Sequence, residues 1–257
     1  AIADEGDVIF SDEFNNASII DGCRLSKAKT VIYKHKDISH LKELLRKENG
    51  RKKIVVTDTV FSMAGDIAPL KEIYDLCSDL NSALSTQHSA LLYIDDAHGT
   101  GVLGNGKGAL SHFGIRAEQW IIQMGTFSKA LGSFGAFAAG GKQAVEFIIN
   151  TARSFILSTA LPSCVIASSI AALELLEDEP KLVERLWANR ERLIKELSYL
   201  GYDDTGSETP IIPLRTKTVE EALAISNRLF KNGIYAPAIR PPTVKEPRIR
   251  ITVTAAH

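Results

Sequence analysis

An α/β fold built on a mainly parallel sheet, followed by a smaller α+β region, is what this sequence predicts. Three observations carry that expectation. Short apolar runs alternate with helical patterns through about the first 150 residues, the order expected of strand–helix–strand units. Each apolar run ends on a cluster of polar residues, as strands do when their carboxyl ends line a ligand crevice. From Ser163 onward the pattern changes to long helices and one strictly alternating strand, which marks a second domain.

The elements follow in order. Strands are expected at Lys53–Asp58 (KIVVTD), Ala90–Asp95 (ALLYID), 120–124 (WIIQM) and 136–139 (AFAA). Between the first two, Pro69 stands where a first helical residue should, and Leu70, Ile73, Tyr74, Cys77 and Leu80 recur at helical spacing, which predicts a crossover helix. An apolar helix is expected from Ser163 through Leu176, then a longer one carrying Leu182, Leu186, Leu193 and Leu197. A further helix spans Thr218 to Asn232, with Gly233 placed to cap it, and 248–254 (RIRITVT) alternates as a half-buried strand does. The expected domains are therefore 1–162, large, and 163–257, small.

Composition sets the outer limits. The chain has 257 residues, 45% of them hydrophobic, enough to bury the core of one large domain and a smaller one. Thirty Lys+Arg against 31 Asp+Glu leave a net charge of -1, so no bulk field draws it to nucleic acid or to a membrane surface. Cys23, Cys77 and Cys164 lack metal-site spacing and do not form a disulfide framework, which suits a reducing, cytoplasmic compartment. No metal is expected. The basic stretch 46–53 (RKENGRKK) reads as a solvated turn, or as an attractor for the phosphates of an acyl carrier. The opening AIADEGDVIFSDEF has no Met and reads as the middle of a domain, so portions before and after this chain are expected.

Two segments carry candidate chemistry. In GTFSKALGSFGAFAAG, 125–140, Lys129 lies among Thr126, Ser128, Ala130 and Gly132, small residues that let backbone approach a bound group and partly desolvate the amine. Desolvation lowers an amine pKa, which Schiff-base chemistry requires. Taken alone the run also fits a plain Gly-rich turn. In YIDDAHGTGVLG, 93–104, the three-residue step from Asp95 to His98 can set a carboxylate and an imidazole against one ligand. Asp95 and Asp96 capping a turn is the simpler alternative for that segment.

In order and spacing, six segments together resemble the α-oxoamine synthase family of pyridoxal-phosphate (PLP) enzymes. They are SDEFNNASIIDGCRLSKA (11–28), DTVFSMAGDIAPL (58–70), IDDAHGTGVLG, GTFSKALGS, SFILSTALPS (154–163) and IRPPTVKEPRIRITVTAAH (239–257). The resemblance implies an aspartate-aminotransferase-like fold (PLP fold type I) and a homodimer with shared active sites. It also implies a covalent bond from Lys129 to PLP, Asp95 facing the pyridinium nitrogen, and His98 and Ser62 near the phenolic oxygen. Thr126 then corresponds to a phosphate ligand, and Ser158 and Thr159 to hydroxyls near the phosphate of the neighbouring subunit. Arg250 matches the arginine that holds the amino-acid carboxylate. Its guanidinium fork suits that task, although a solvated strand face would also explain Arg248 and Arg250.

The departures are specific. Asn16 stands where the family usually has a ring-stacking histidine, and an amide can cover a ring without supplying an imidazole's proton chemistry. Ala64 replaces the usual Asp, while Asp66 remains. The segment Ile239-Arg240-Pro241-Pro242-Thr243 is most similar to the 8-amino-7-oxononanoate synthase subfamily, which joins L-alanine to a pimeloyl thioester, on CoA or on a carrier protein, in biotin synthesis. There Arg240 would meet the distal carboxylate of the acyl chain. Glycine C-acetyltransferase shares nearly every motif and stays open as an alternative, as does a noncatalytic partner subunit, which the Asn16 exchange keeps in view.

Overall fold

The computed structural model describes residues 1–83, 90–202 and 205–257, which form two compact units: Ala1–Thr59 with Ala68–Glu179, and Val60–Ile67 with Pro180–His257.

The first unit is an α/β sheet of six strands in the order β2-β1-β3-β4-β5-β6. Its elements are β1 (Val8–Asp12), α1 (Ala17–Leu25), β2 (Lys29–Tyr33), α2 (Ile38–Lys47), β3 (Lys53–Asp58), α3 (Leu70–Ala83), β4 (Ala90–Asp95), α4 (Ala109–His112), β5 (Ile121–Thr126), β6 (Ala136–Gly140), α5 (Lys142–Thr151), α6 (Arg153–Ile156) and α7 (Ser163–Asp178). Neighbouring strands pair parallel except β5 with β6, which is antiparallel. The parallel strands β1 and β3 read as buried runs because helices cover sheets of this kind on both faces. Phe10, Val55, Leu92 and Ile94 are all fully buried. The four strands expected from the sequence are present, with β5 running two residues further, to Thr126. Strands β1 and β2 and helices α1 and α2 precede them.

Helix starts follow local chemistry. The Asn16 side chain accepts from the Ser18 amide at the start of α1, and Asp37 accepts from the His40 amide at the start of α2. Each satisfies a donor that the helix leaves open.

The second unit is α+β. Its three strands, β7 (Ile211–Arg215), β8 (Ala238–Ile239) and β9 (Arg248–Thr252), pair antiparallel in the order β7-β9-β8, accompanied by α8 (Lys181–Tyr199) and α9 (Val219–Lys231). Ala222 of α9, Ala236 and Ile249 of β9 form its buried cluster. Thr218 caps α9 by accepting from the Glu221 amide. In this grouping α7 goes with the sheet, and the short segment 60–67 goes with the second unit. No helix among the described residues is long and apolar enough to cross a membrane.

Candidate active site

Four neighbouring strands, β1, β3, β4 and β5, point their carboxyl ends the same way, and the residues at those ends build the site of the first unit. The register of β3 with β4 pairs Asp58 with Asp95, and that of β4 with β5 pairs Asp95 with Met124. Thr126 ends β5, and Lys129 follows three residues later in the turn before β6.

Asp95 is buried, and its Oδ1 accepts from the Ala97 amide at 3.0 Å. Burial pushes its carboxyl above the usual range, while the Ala97 amide and the charge of Lys129 pull it back. Asp58 is the more perturbed of the two: burial, then the neighbouring Asp95 charge, raise it to about 7, against the Asn16 amide and Lys129, which lower it. The lysine charge acts on both carboxyls, so the structure brings Lys129, Asp95 and Asp58 into one electrostatic group. Lys129 itself is exposed. The small residues that flank it leave the side chain open to solvent, so the desolvation expected from the sequence is not found in this chain.

The Asn15–Asn16 segment after β1 and Asp58 at the end of β3 bind reciprocally. The Asp58 amide donates to Asn15 Oδ1 at 2.8 Å, the Asn16 amide donates to Asp58 Oδ2 at 2.6 Å, and Asn15 Nδ2 donates to the Val56 carbonyl at 2.9 Å. Asn16 is thereby fixed in backbone position, but its side chain is engaged as the cap of α1, with Oδ1 accepting from both the amide and the hydroxyl of Ser18. His98 lies half-buried in the loop after β4.

Thr126 Oγ1 is buried without a hydrogen-bond partner among the described residues. An unsatisfied buried hydroxyl is costly and rare, and here it ends a strand at the crevice, where a phosphate oxygen would satisfy it. The residues present therefore fit PLP: an amine at Lys129, a carboxylate at Asp95 and an open hydroxyl at Thr126. Ser158 and Thr159 are exposed, and Ser158 Oγ donates to the Ser154 carbonyl at 2.5 Å.

The second unit holds the other candidates. Arg250, on β9, donates from Nη1 to the Ser62 carbonyl at 3.4 Å, and its Nε is buried with no hydrogen-bond partner among the described residues. That is a guanidinium with a donor still to be satisfied, the state that suits a carboxylate ligand. Neighbouring Arg248 is instead committed to protein, donating to the carbonyls of Glu246 and Met63, both at 3.2 Å. Arg240 is exposed just after β8.

Sequence reasoning placed Asp58 and Asp96 among the polar residues at strand ends but gave neither of them, nor Asn15, a role. A signal existed for Asp58, because it closes KIVVTD as Asp95 closes ALLYID.

The sequence matches the family model "Aminotransferase class I and II" over residues 1–257. It is 53% identical over 258 residues to a Thermodesulfovibrio yellowstonii protein provisionally named 8-amino-7-oxononanoate synthase, covering 100% of this chain and 64% of that protein. A serine palmitoyltransferase from S. paucimobilis, solved with a bound PLP–myriocin aldimine, is similar over 100% of this chain and 64% of that one, with 29% identity and a TM-score of 0.89. The 8-amino-7-oxononanoate synthase from Francisella tularensis is similar over 100% of this chain and 72% of that one, with 28% identity and a TM-score of 0.82. The chain thus spans just under two thirds of the length of the curated relative that it matches at 53% identity.

Proposed function

The chain belongs to the aminotransferase class I and II family, in its α-oxoamine synthase branch, and from that premise we propose that it forms the greater part of a PLP-dependent acyltransferase condensing L-alanine with a pimeloyl thioester to 8-amino-7-oxononanoate. The observation that carries this reading is the grouping of Lys129 with Asp95 beside the unsatisfied Thr126 hydroxyl. PLP, when bound, withdraws electrons from the amino-acid Cα and so makes it nucleophilic.

Each residue then has a separate task. Lys129 would hold the cofactor through its amine and would act as the base that takes the α-proton of the amino acid. Asp95 would face the pyridine nitrogen, with the Lys129 charge and the Ala97 amide favouring its charged form against the burial that opposes it. Thr126 would donate to the phosphate, and His98 would hydrogen-bond the phenolic oxygen, a role the resemblance also gives to Ser62. Arg250 takes the alanine carboxylate with its open Nε. In the reaction a bond forms between alanine Cα and the acyl carbon, the C–S bond breaks and the thiol leaves. The β-keto acid then loses carbon dioxide. A homodimer completed by Ser158 and Thr159 toward the neighbouring phosphate belongs to the same reading.

The test uses the full-length protein. It should show an absorbance band from bound PLP that borohydride reduces, with the label mapping to Lys129. A Lys129→Ala variant that still binds PLP yet keeps a reducible band would overturn the assignment. Turnover of alanine with pimeloyl-CoA should exceed that of glycine with acetyl-CoA, and the reverse order would favour glycine C-acetyltransferase.

A further inference from the structure

Asp96, the residue after Asp95, has no part in the reaction as read above, yet it is fully buried and heavily hydrogen-bonded. Its Oδ1 accepts from the Thr59 hydroxyl at 2.6 Å. Its Oδ2 accepts from Gln123 Nε2 at 2.9 Å, the Ala109 amide at 3.1 Å and the Thr100 hydroxyl at 3.2 Å. Its own amide donates to the Met124 carbonyl at 2.8 Å. One carboxylate therefore ties the segment after β3, the strand β5 and both ends of the loop that carries His98. The chain leaves room for it with glycine: a Cβ at Gly99 would lie 2.0 Å from Asp96 Oδ1, and one at Gly108 would lie 2.2 Å from Oδ2.

The loop held in this way rests on the lysine turn. A Cβ at Gly101 would lie 2.7 Å from the Ala130 Cβ, and one at Gly125 would lie 2.8 Å from Thr100 Oγ1. Thr100 is thus bonded to Asp96 on one side and packed on the backbone that leads to Lys129 on the other. Neither approach tolerates even a methyl group.

We propose that Asp96 is a positioning residue that couples the end of β4, with Asp95, and the following loop, with His98, to the turn bearing Lys129, so that carboxylate, imidazole and amine keep one spacing. Its relevance to the cofactor rests on the PLP reading, but the mechanical coupling does not. A carboxylate suits the post because four donors converge on it. An amide there would turn its NH2 toward groups that are themselves donors.

Hydrogen exchange on the full-length apoprotein separates coupling from local stability. Asp96→Asn should speed amide exchange in residues 97–109 and also in 126–132 by about 10-fold or more, the scale expected for losing a hydrogen bond to a charged group. Leu41→Ala, an equally buried change on α2, should leave the 126–132 segment unchanged. If Asp96→Asn does not fold, Thr100→Val, which keeps the shape and removes one bond to Asp96, carries the same expectation at smaller size. Faster exchange confined to 97–109 would overturn the proposal. In the PLP-loaded protein the same variants should shift the pH midpoint of the cofactor absorbance relative to wild type. A wild-type protein that takes up no PLP would sink the cofactor reading while the exchange result still decides the coupling. An unchanged midpoint in a variant with coupled exchange would remove Asp96's bearing on the site.

Discussion

At the scale of single residues, the cost of the site is visible in Asp58. Burial and the Asp95 charge raise its pKa to about 7 from 3.8, with the Asn16 amide and Lys129 opposing. A raised acid binds its proton more tightly folded than unfolded, so its contribution to stability is full below about 3.8 and is lost as pH rises through about 7. Three pKa units correspond to roughly 4 kcal/mol at 1.36 kcal/mol each. Asp58→Asn removes the titration and keeps an oxygen to accept from the Asn16 amide. In urea melts of the full-length apoprotein its stability should therefore vary less than wild type between pH 4 and 7, and exceed wild type at pH 8 by a few kcal/mol. A stability that falls with pH between 4 and 7 as steeply in the variant as in the native protein would refute this origin. Sequence motifs included both Asp95 and Asp58 but gave a role only to Asp95. The two carboxylates meet only because β3 and β4 pair in a register that sets them side by side, and that pairing is not local information.

At the scale of elements, what was legible depended on length and pattern. The runs KIVVTD and ALLYID stand out, as does the Pro69-led crossover helix, whereas β1 offers only three consecutive apolar residues, Val8 to Phe10, and β2 is an edge strand with exposed Ile32. Segment 60–67 shows what pattern cannot reveal. It sits against β7 through Gly65, whose carbonyl accepts from the Thr209 hydroxyl at 2.8 Å and the Glu208 amide at 3.0 Å. Gly65 has φ +72, and a Cβ there would stand 1.9 Å from the Ile211 carbonyl oxygen. That clash is with backbone, so no rotamer relieves it. Left-handed backbone strain of about 1 to 2 kcal/mol adds to overpacking of about 1 to 3, so Gly65→Ala should lose roughly 2 to 5 kcal/mol in chemical denaturation. A loss below about 0.5 kcal/mol, the range of ordinary surface changes, would show that the segment shifts freely.

At the scale of the molecule, candidate residues divide between two units: Asn16, Asp95, His98, Thr126, Lys129, Ser158 and Thr159 in the first, Ser62, Arg240 and Arg250 in the second. The resemblance named all of them as candidates, motif by motif, because each motif spans its own turn or strand end. They did not show what covers the apolar helix α7, whose Ile166, Ile170 and Leu173 are exposed in this chain, since apolarity records that a face is covered and not by what. Substrate choice also belongs to this scale, and on the proposed reading it separates the two arginines of the second unit. Arg250 is half-buried with its Nε unsatisfied, while Arg240 is exposed beyond the end of β8. A dicarboxylate-derived thioester is the substrate that calls for a second cation away from the amino-acid carboxylate. Losing a hydrogen bond to a charged group costs about 1.5 to 3 kcal/mol, roughly 10- to 150-fold. Arg250→Ala should therefore weaken alanine binding by that factor, read from the change in cofactor absorbance on titration. Arg240→Ala should spare that step and raise KM for pimeloyl-CoA, with little effect on a neutral acyl-CoA of similar length. If Arg240→Ala impaired both thioesters equally, or neither, the pimeloyl assignment would lose its support and the glycine-dependent alternative would take its place.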